Sequence, residues 1–185
     1  MLLVGVINAD TSLHFPDFRA SERTFQLVTQ VAGRTGRGPR GGRVLVQTLS
    51  PDHPAIRAAV RHDYAMFAKQ ELPIRQMLHY PPYTQMARLI VRGEAEALVK
   101  EFALQLAERI RSALVEHQLA EGVQNRVLGP APAPIPRLRN LYRYHLQAQC
   151  GDGQLLRQAI LLATENLSSR EGVQWAIDID PLDML

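Results

Sequence analysis

From residue 85 onward the spacing of the apolar residues switches repeatedly between the strand period and the helix period, and the order of those switches restricts the fold more than any other feature. "QMARLIVRG" (85–93) reads as a strand. Residues 94–118 read as a long helix with Leu98, Phe102, Leu106, Ile110 and Leu114 on one stripe. "NRVLG" is a short strand, and "PAPAPIP" after it is a stiff, extended loop. "LYRYHLQAQ" (141–149) alternates, with Tyr142, Tyr144, Leu146 and Ala148 on one face and Arg143, His145, Gln147 and Gln149 on the other. Residues 154–168 form a helix on Leu156, Ala159, Ile160, Ala163 and Leu167, and "VQWAIDID" (173–180) alternates again, with Trp175, Ile177 and Ile179 facing a core. The resulting order, β-α-β-β-α-β, is that of a split βαβ sandwich with both helices on one face of a sheet.

The first part follows another rule. The apolar run at the start stops after residue 7 and has no positively charged segment before it, so it reads as a strand buried on both faces and not as a signal peptide. A helix follows, capped by Ser21, with Phe25, Val28 and Ala32 at helical spacing, and Gly33 stops it. "RVLVQTL" (43–49) is a second strand. The next helix, capped by Ser50 or Asp52, has Ile56, Val60, Tyr64 and Phe67 as its apolar face. Strand, helix, strand, helix suggests a parallel α/β layer, and two strands are too few for a complete one. Pro73, Pro81 and Pro82 forbid a regular helix through 71–83. The expected organisation is therefore α/β then α+β: residues 1–72 as the end of a larger α/β domain, 73–84 as a Pro-rich linker, and 85–185 as an α+β domain.

Composition excludes some classes. With 46% apolar residues the chain should be globular. Its single cysteine, Cys150, rules out an internal disulfide and a multi-cysteine zinc site, and is consistent with a cytoplasmic protein. No apolar run approaches the roughly 18 residues of a membrane helix. Of the 21 basic residues only Lys69 and Lys100 are lysines. Arginine presents a planar fork that pairs with phosphate in a bidentate way, although a GC-rich genome would also favour arginine.

The arginines cluster twice. "TQVAGRTGRGPRGG" (29–42) holds Arg34, Arg37 and Arg40 among five glycines and has no acid, and no Gly-x-x-x-x-Gly-Lys-Ser/Thr loop occurs anywhere in the chain. Glycines let a backbone turn tightly and approach a ligand closely. Arg34 and Arg37, three apart at a helix end, suit charge that develops on a transferring phosphoryl group held by another lobe. A solvated turn with no ligand accounts equally well for the bare pattern. The second cluster spans 122–151, which has no acid and four arginines, Arg126, Arg137, Arg139 and Arg143. If the extended register runs backwards from 141, Arg137 and Arg139 join Arg143 in a row that tracks a phosphate backbone; the alternative is a solvated sheet face. Tyr142 and Tyr144 fall on the apolar face and read as core. Asp178 and Asp180, roughly 6–7 Å apart on one strand face, are either a solvated edge or a cation site. The histidines show no metal-ligand spacing, and Arg61-His62-Asp63 reads as a surface charge cluster.

Gln30-x-x-Gly33-Arg34-x-Gly36-Arg37 resembles the sixth conserved motif of superfamily-2 helicases, which closes the second RecA-like lobe. "PDFRASERTFQLVTQVAGRTGRG", "YPPY", "VLGPAPAPIPRLRNLYRYH" and "WAIDIDP" together resemble the bacterial primosomal replication-restart helicases, the primosomal protein N′ family, in the same order over essentially the whole chain. The resemblance implies an ATP-dependent 3′→5′ DNA helicase of which this chain is a C-terminal piece: the end of RecA-like lobe 2, then the family's C-terminal domain. It implies that Gln30, Arg34 and Arg37 contact ATP, with Arg37 the finger on the γ-phosphate and Gly33 and Gly36 shaping the turn. Asp10 and Asp17-Phe18-Arg19 would sit near the seam between nucleotide and DNA, unless they merely tie a surface loop. Arg19, Arg137, Arg139 and Arg143 are the expected DNA contacts. ATP and Mg2+ would belong to the longer protein, whose phosphate loop, Asp-Glu-x-His box and zinc-binding insertion are not in this sequence. The 185-residue chain alone is therefore expected to be inactive. Implied partners are forked and single-stranded DNA, single-strand-binding protein and other primosome proteins, at the nucleoid and not at a membrane. The contact with single-strand-binding protein has no residues assigned to it, because Gln154–Arg157 depart from the family pattern. A stand-alone nucleic-acid-binding or protein-interaction module is the competing reading.

Overall fold

The computed structural model describes residues 3–34, 42–116, 125–168 and 170–184. The chain forms two compact units, residues 1–74 and 75–185. Among the described residues no helix is long and apolar enough to cross a membrane.

In the first unit, β1 (Leu3–Val6) and β2 (Arg43–Val46) pair in parallel, with Leu3 opposite Arg43 and Val6 opposite Val46. A short helix α1 (Asp10–Leu13) and a longer α2 (Ala20–Ala32) make the crossover. α2 begins one residue before Ser21, with Arg19 at the cap position and no side-chain cap; Ser21 lies inside the helix. The core gathers Val6, Leu13, Phe25, Val28, Ile56 and Phe67, with the Phe25 and Phe67 rings stacked 4.8 Å apart. The expectation of two-sided cover for the first strand is not met: Leu3, Ile7 and Leu45 are exposed, Ile7 by 83%. Among the described residues helices cover one side of this sheet only.

The single helix expected after β2 is two. α3 (Pro54–Val60) is capped by His53, whose Nδ1 accepts the Ala55 N–H, and not by Ser50 or Asp52. It ends at a turn where His62 takes φ +52° and Asp63 Oδ1 accepts the Met66 N–H, starting α4 (Tyr64–Met77). Arg61-His62-Asp63 is thus a helix break. It rotates Val60 and Tyr64 away from the expected stripe and leaves them 63% and 68% exposed. α4 also continues through Pro73, where a proline was expected to forbid it. A proline there removes one N–H from the helix ladder without preventing the packing that holds the rest.

The second unit has the anticipated order. β3 (Gln85–Gly93), α5 (Glu96–Glu116), β4 (Asn125–Leu138), β5 (Leu141–Cys150), α6 (Gly153–Thr164) and β6 (Val173–Ile179) build an antiparallel sheet ordered β4-β5-β3-β6. Both helices pack on one face, over Ala87, Leu89 and Val91 of β3 and Tyr144, Leu146 and Ala148 of β5. On α5 the buried stripe runs through Val99, Phe102, Leu106, Ile110 and Leu114; Leu98, placed on it by the sequence, is 39% exposed, and Val99 takes its place. α6 buries the expected Leu156, Ala159, Ile160 and Ala163, and its first turn is held by Asp152 Oδ1, which accepts the Gln154 and Leu155 N–H groups at 2.7 and 3.1 Å.

β4 departs most from expectation. "PAPAPIP" is not a loop; it continues the strand begun at Asn125 and stays paired with β5 through two shifts of register, one between Leu128 and Ala131 and one between Pro132 and Arg137. β4 is an edge strand, which tolerates missing N–H donors. At the first shift Gly129 has φ +89°, and a Cβ there would lie 2.8 Å from the His145 carbonyl oxygen. Phe102, almost wholly buried under the sheet, sets a test of this core. Phe102→Ala should lower stability by about 3–5 kcal/mol in denaturant unfolding.

Candidate functional site

In the first unit the expected nucleotide-contacting residues lie at the end of α2. Gln30 is on its exposed side, and Gly33 and Arg34 are the last residues before 35–41. The Gly33 N–H donates to the Thr29 carbonyl at 2.9 Å and the Arg34 N–H to Val31 at 3.1 Å, so the last turn of the helix is intact up to Arg34. Gly36 and Arg37 lie outside the described residues.

The φ of Gly33 is −65°, an ordinary helical value, and among the described residues an added Cβ would meet the Gln30 and Thr29 carbonyl oxygens at 3.6 Å. Neither strain nor crowding explains a glycine at this exposed position. What it leaves is bare backbone open to close approach from outside. Beside this end of α2 an open groove of about 340 Å³ is lined by Val28, Ala32, Val44, Val46 and Val60, with no lysine or arginine among its described lining residues.

The acids preceding α2 serve the unit itself. Asp10 accepts the Leu49 N–H at 2.9 Å and the Thr48 hydroxyl at 3.0 Å, tying α1 to the end of β2. The Leu49 N–H, with help from Thr48, holds this carboxyl below its ordinary pKa. Asp17 accepts the Arg19 N–H at 2.9 Å and meets Arg23 at 3.2 Å, while the Arg19 guanidinium lies 4.4 Å from the Phe18 ring centre. The local-tie alternative for these residues therefore describes their contacts.

In the second unit the structure separates the arginines that the extended register had aligned. Arg137 is paired with Tyr142, its guanidinium 4.9 Å from that ring's centre and donating to Asn140 Oδ1. Since cross-strand partners share a face, Arg137 lies on the helix side of the sheet. Arg139 and Asn140 form the two-residue turn between Leu138 and Leu141, with φ of +50° and +67°. Two successive positive φ values are those of a hairpin turn whose twist matches the strands. Arg143 alone projects to the face opposite the helices; its Nη1 donates to the Ile135 carbonyl at 3.4 Å. Arg126 is an internal clip, its Nε donating to Gln149 Oε1 at 2.5 Å and its Nη2 to the Leu78 carbonyl.

That face, buried at Met86, Arg88 and Gln149 and open at the end that carries Arg92 and Arg143, holds residues the sequence pattern did not single out. Arg88 and Arg92 of β3 share the parity of Met86 and Ile90, opposite to the core residues Leu89 and Val91. The cross-strand register sets Arg92 opposite Arg143, Ile90 opposite His145 and Arg88 opposite Gln147. Arg92 Nε donates to Gln174 Oε1 on β6 at 3.0 Å, and Arg88 meets Asp178 of β6 at 3.8 Å. Asp178 is therefore an arginine partner, and among the described residues no group of three His, Cys, Asp or Glu side chains could hold a metal ion. Burial, with Arg88 and Arg143 adding to it, holds the His145 imidazole below its ordinary pKa. The signal was present in the sequence: two arginines four apart in a strand whose intervening positions alternate with core residues. Tyr144 lies in the core, its hydroxyl donating to Glu96 Oε1 at 3.0 Å, and burial raises the pKa of the Cys150 thiol.

Residues 76–182 match the family model described as the primosomal protein N C-terminal domain. The chain belongs to the primosomal protein N family. Replication restart protein PriA of Synechocystis is 40% identical over 98% of the chain, and that of Chlamydia pneumoniae 36% identical over 97%. The Bacillus subtilis protein of the same name is 41% identical over 77% of the chain. These matches cover 21%, 23% and 17% of the relatives, so the chain spans about a fifth of their length and corresponds to their C-terminal portion. The primosomal protein N match thus agrees with the family that the motifs resembled.

Two measurements check these sites. Gly33→Ala should leave the stability of the chain within about 0.5 kcal/mol of wild type or raise it, because helical alanine is favoured over glycine; a drop of more than about 1 kcal/mol in a urea titration would contradict the helical geometry. For His145 the unfolded chain binds the proton more readily than the folded one. Its contribution is therefore complete above the ordinary imidazole value of about 6.5 and is lost as pH falls below it. His53 shifts in the same direction, so His145→Gln should flatten part, not all, of the fall in stability between about pH 7 and 5.

Proposed function

We propose that this chain is the C-terminal part of an ATP-dependent 3′→5′ DNA helicase that restarts stalled replication forks. Residues 1–72 close a RecA-like lobe 2, residues 73–84 link it to the next domain, and residues 85–185 contact DNA and partner proteins. The observation that carries the reading is one of order. An arginine-ended helix in a parallel β-α-β unit and the family's C-terminal domain lie in one chain, alignable over 98% of its length with a replication restart protein. The uncovered apolar face of β1 and β2 supports it, since further parts of a lobe would pack there.

In this reading Gln30, Arg34 and Arg37 reach ATP and its Mg2+ held by another lobe, and Arg37 neutralises charge on the γ-phosphate in the transition state. Gly33 gives a close approach, and Gly36 completes the turn. Arg19, and Arg137, Arg139 and Arg143 at the β4–β5 hairpin, contact forked or single-stranded DNA by their charge. Single-strand-binding protein and other primosome proteins are the protein partners, at the nucleoid in the cytoplasm.

The test uses a longer protein of this sequence that includes the remainder of the lobe. Arg37→Ala should lower DNA-stimulated ATP hydrolysis by about 10³-fold or more with DNA binding retained. The 185-residue chain alone should hydrolyse no ATP. Measurable DNA-stimulated hydrolysis by that chain, or full activity in the Arg37→Ala protein, would end the reading.

A further inference from the structure

We propose that the open face of the second unit's sheet is a single-stranded nucleic-acid site, in which Arg92 and Arg143 hold a phosphodiester and Ile90 and His145 support a base. This deepens the DNA-contact reading above and rests on it, but it moves the contact from the hairpin to the two central strands.

The charge arrangement points to an anion. Arg92 and Arg143 are direct cross-strand partners, a placement of like charges that weakens a sheet. Neither has an acidic partner among the described residues: Arg92 bonds the Gln174 amide and Arg143 the Ile135 carbonyl, both neutral. Arg88, further along the same strand face, is buried and meets Asp178 at 3.8 Å, so the uncompensated charge rests on Arg92 and Arg143 and not on it. The face therefore carries uncompensated positive charge, which a phosphodiester would offset through two guanidinium forks.

The centre of the face favours a single strand over a duplex. Ile90 and His145 sit opposite each other next to the Arg92–Arg143 pair, both half-buried, and Ala176 of β6 flanks Ile90 on the other side. An imidazole beside an aliphatic side chain is a surface for an unstacked base, which a duplex does not present. His145 Nδ1 is buried without a hydrogen-bond partner among the described residues. An acidic peptide would satisfy the arginines but would leave that surface unused.

The test is fluorescence anisotropy of a labelled oligothymidylate with the full 185-residue chain over a range of salt, together with His145 imidazole shifts by NMR. The double variant Arg92→Gln/Arg143→Gln should bind at least about 10-fold more weakly at low salt. It should also flatten the slope of log K against log salt by about 0.7, the amount for the one phosphate that is no longer neutralised. Its thermal midpoint should be unchanged or raised, since a like-charge pair is removed, so weaker binding cannot be put down to unfolding. Bound oligonucleotide should raise the His145 titration midpoint by screening Arg88 and Arg143. An Arg92→Gln/Arg143→Gln protein that binds with wild-type affinity and slope would overturn the site. If Arg137→Gln/Arg139→Gln then weakens binding instead, the hairpin reading stands and this one falls. An acidic peptide that binds through Arg92 and Arg143 more tightly than the oligonucleotide would also overturn it. A wild-type chain that binds no oligonucleotide would remove both this site and the DNA contact on which it rests.

Discussion

The packing of α5 and α6 against β3 decides what the second unit can present to the outside. Ala87, Leu89 and Val91 are fully buried beneath those helices, with Val99, Phe102 and Leu106 pressed against them. A strand has a period of two, so fixing its odd residues in the core forces its even residues to the far side. β3 lies between β5 and β6, and that side is the middle of the sheet. The positions of Arg88 and Arg92 thus follow from the hydrophobic burial of their neighbours. A slip of one residue in register would carry both guanidinium groups into an apolar core.

Much of this was legible in the sequence, and the misses have physical causes. The bounds of β3 and the buried face of α6 follow directly from apolar spacing. So does the core placement of Tyr144 and Trp175. Spacing failed where local side-chain chemistry competes with it. Asp63 starts a new helix at 64 and breaks what looked like one apolar stripe. The proline run of β4 looked like a loop because edge position, which makes prolines tolerable, is a property of the sheet and not of the segment. The arginine row failed because the chain reverses within it: the two-residue turn at Arg139 and Asn140 pairs the odd positions of β4 next to it with even positions of β5, so Arg137 falls on the face of Tyr142 and not of Arg143.

The first unit shows how motif and geometry inform each other. Its glycine and arginine pattern suggested a tight turn, most of which lies outside the described residues, and Gly33 at its start is helical and uncrowded among the described residues. The glycine is therefore better understood by what it omits, a side chain on an exposed helix end, than by a conformation it permits. Asp10 and Asp17 bind their own loop and strand ends, and so position α2 without themselves facing outward as free charges.

The prolines of β4 bear on how the molecule behaves in a crowded solution. Pro130, Pro132, Pro134 and Pro136 occupy alternate positions, and Ala131 pairs with His145 while Pro132 pairs with Tyr144. Proline cannot donate, so none of these four residues offers an N–H to a strand on either side. Because β4 is the edge of the sheet, any of these prolines turned to its free border leaves a position there without a donor. An incoming strand would find carbonyl groups there and no matching N–H groups, which blocks the strand-by-strand growth that begins aggregation.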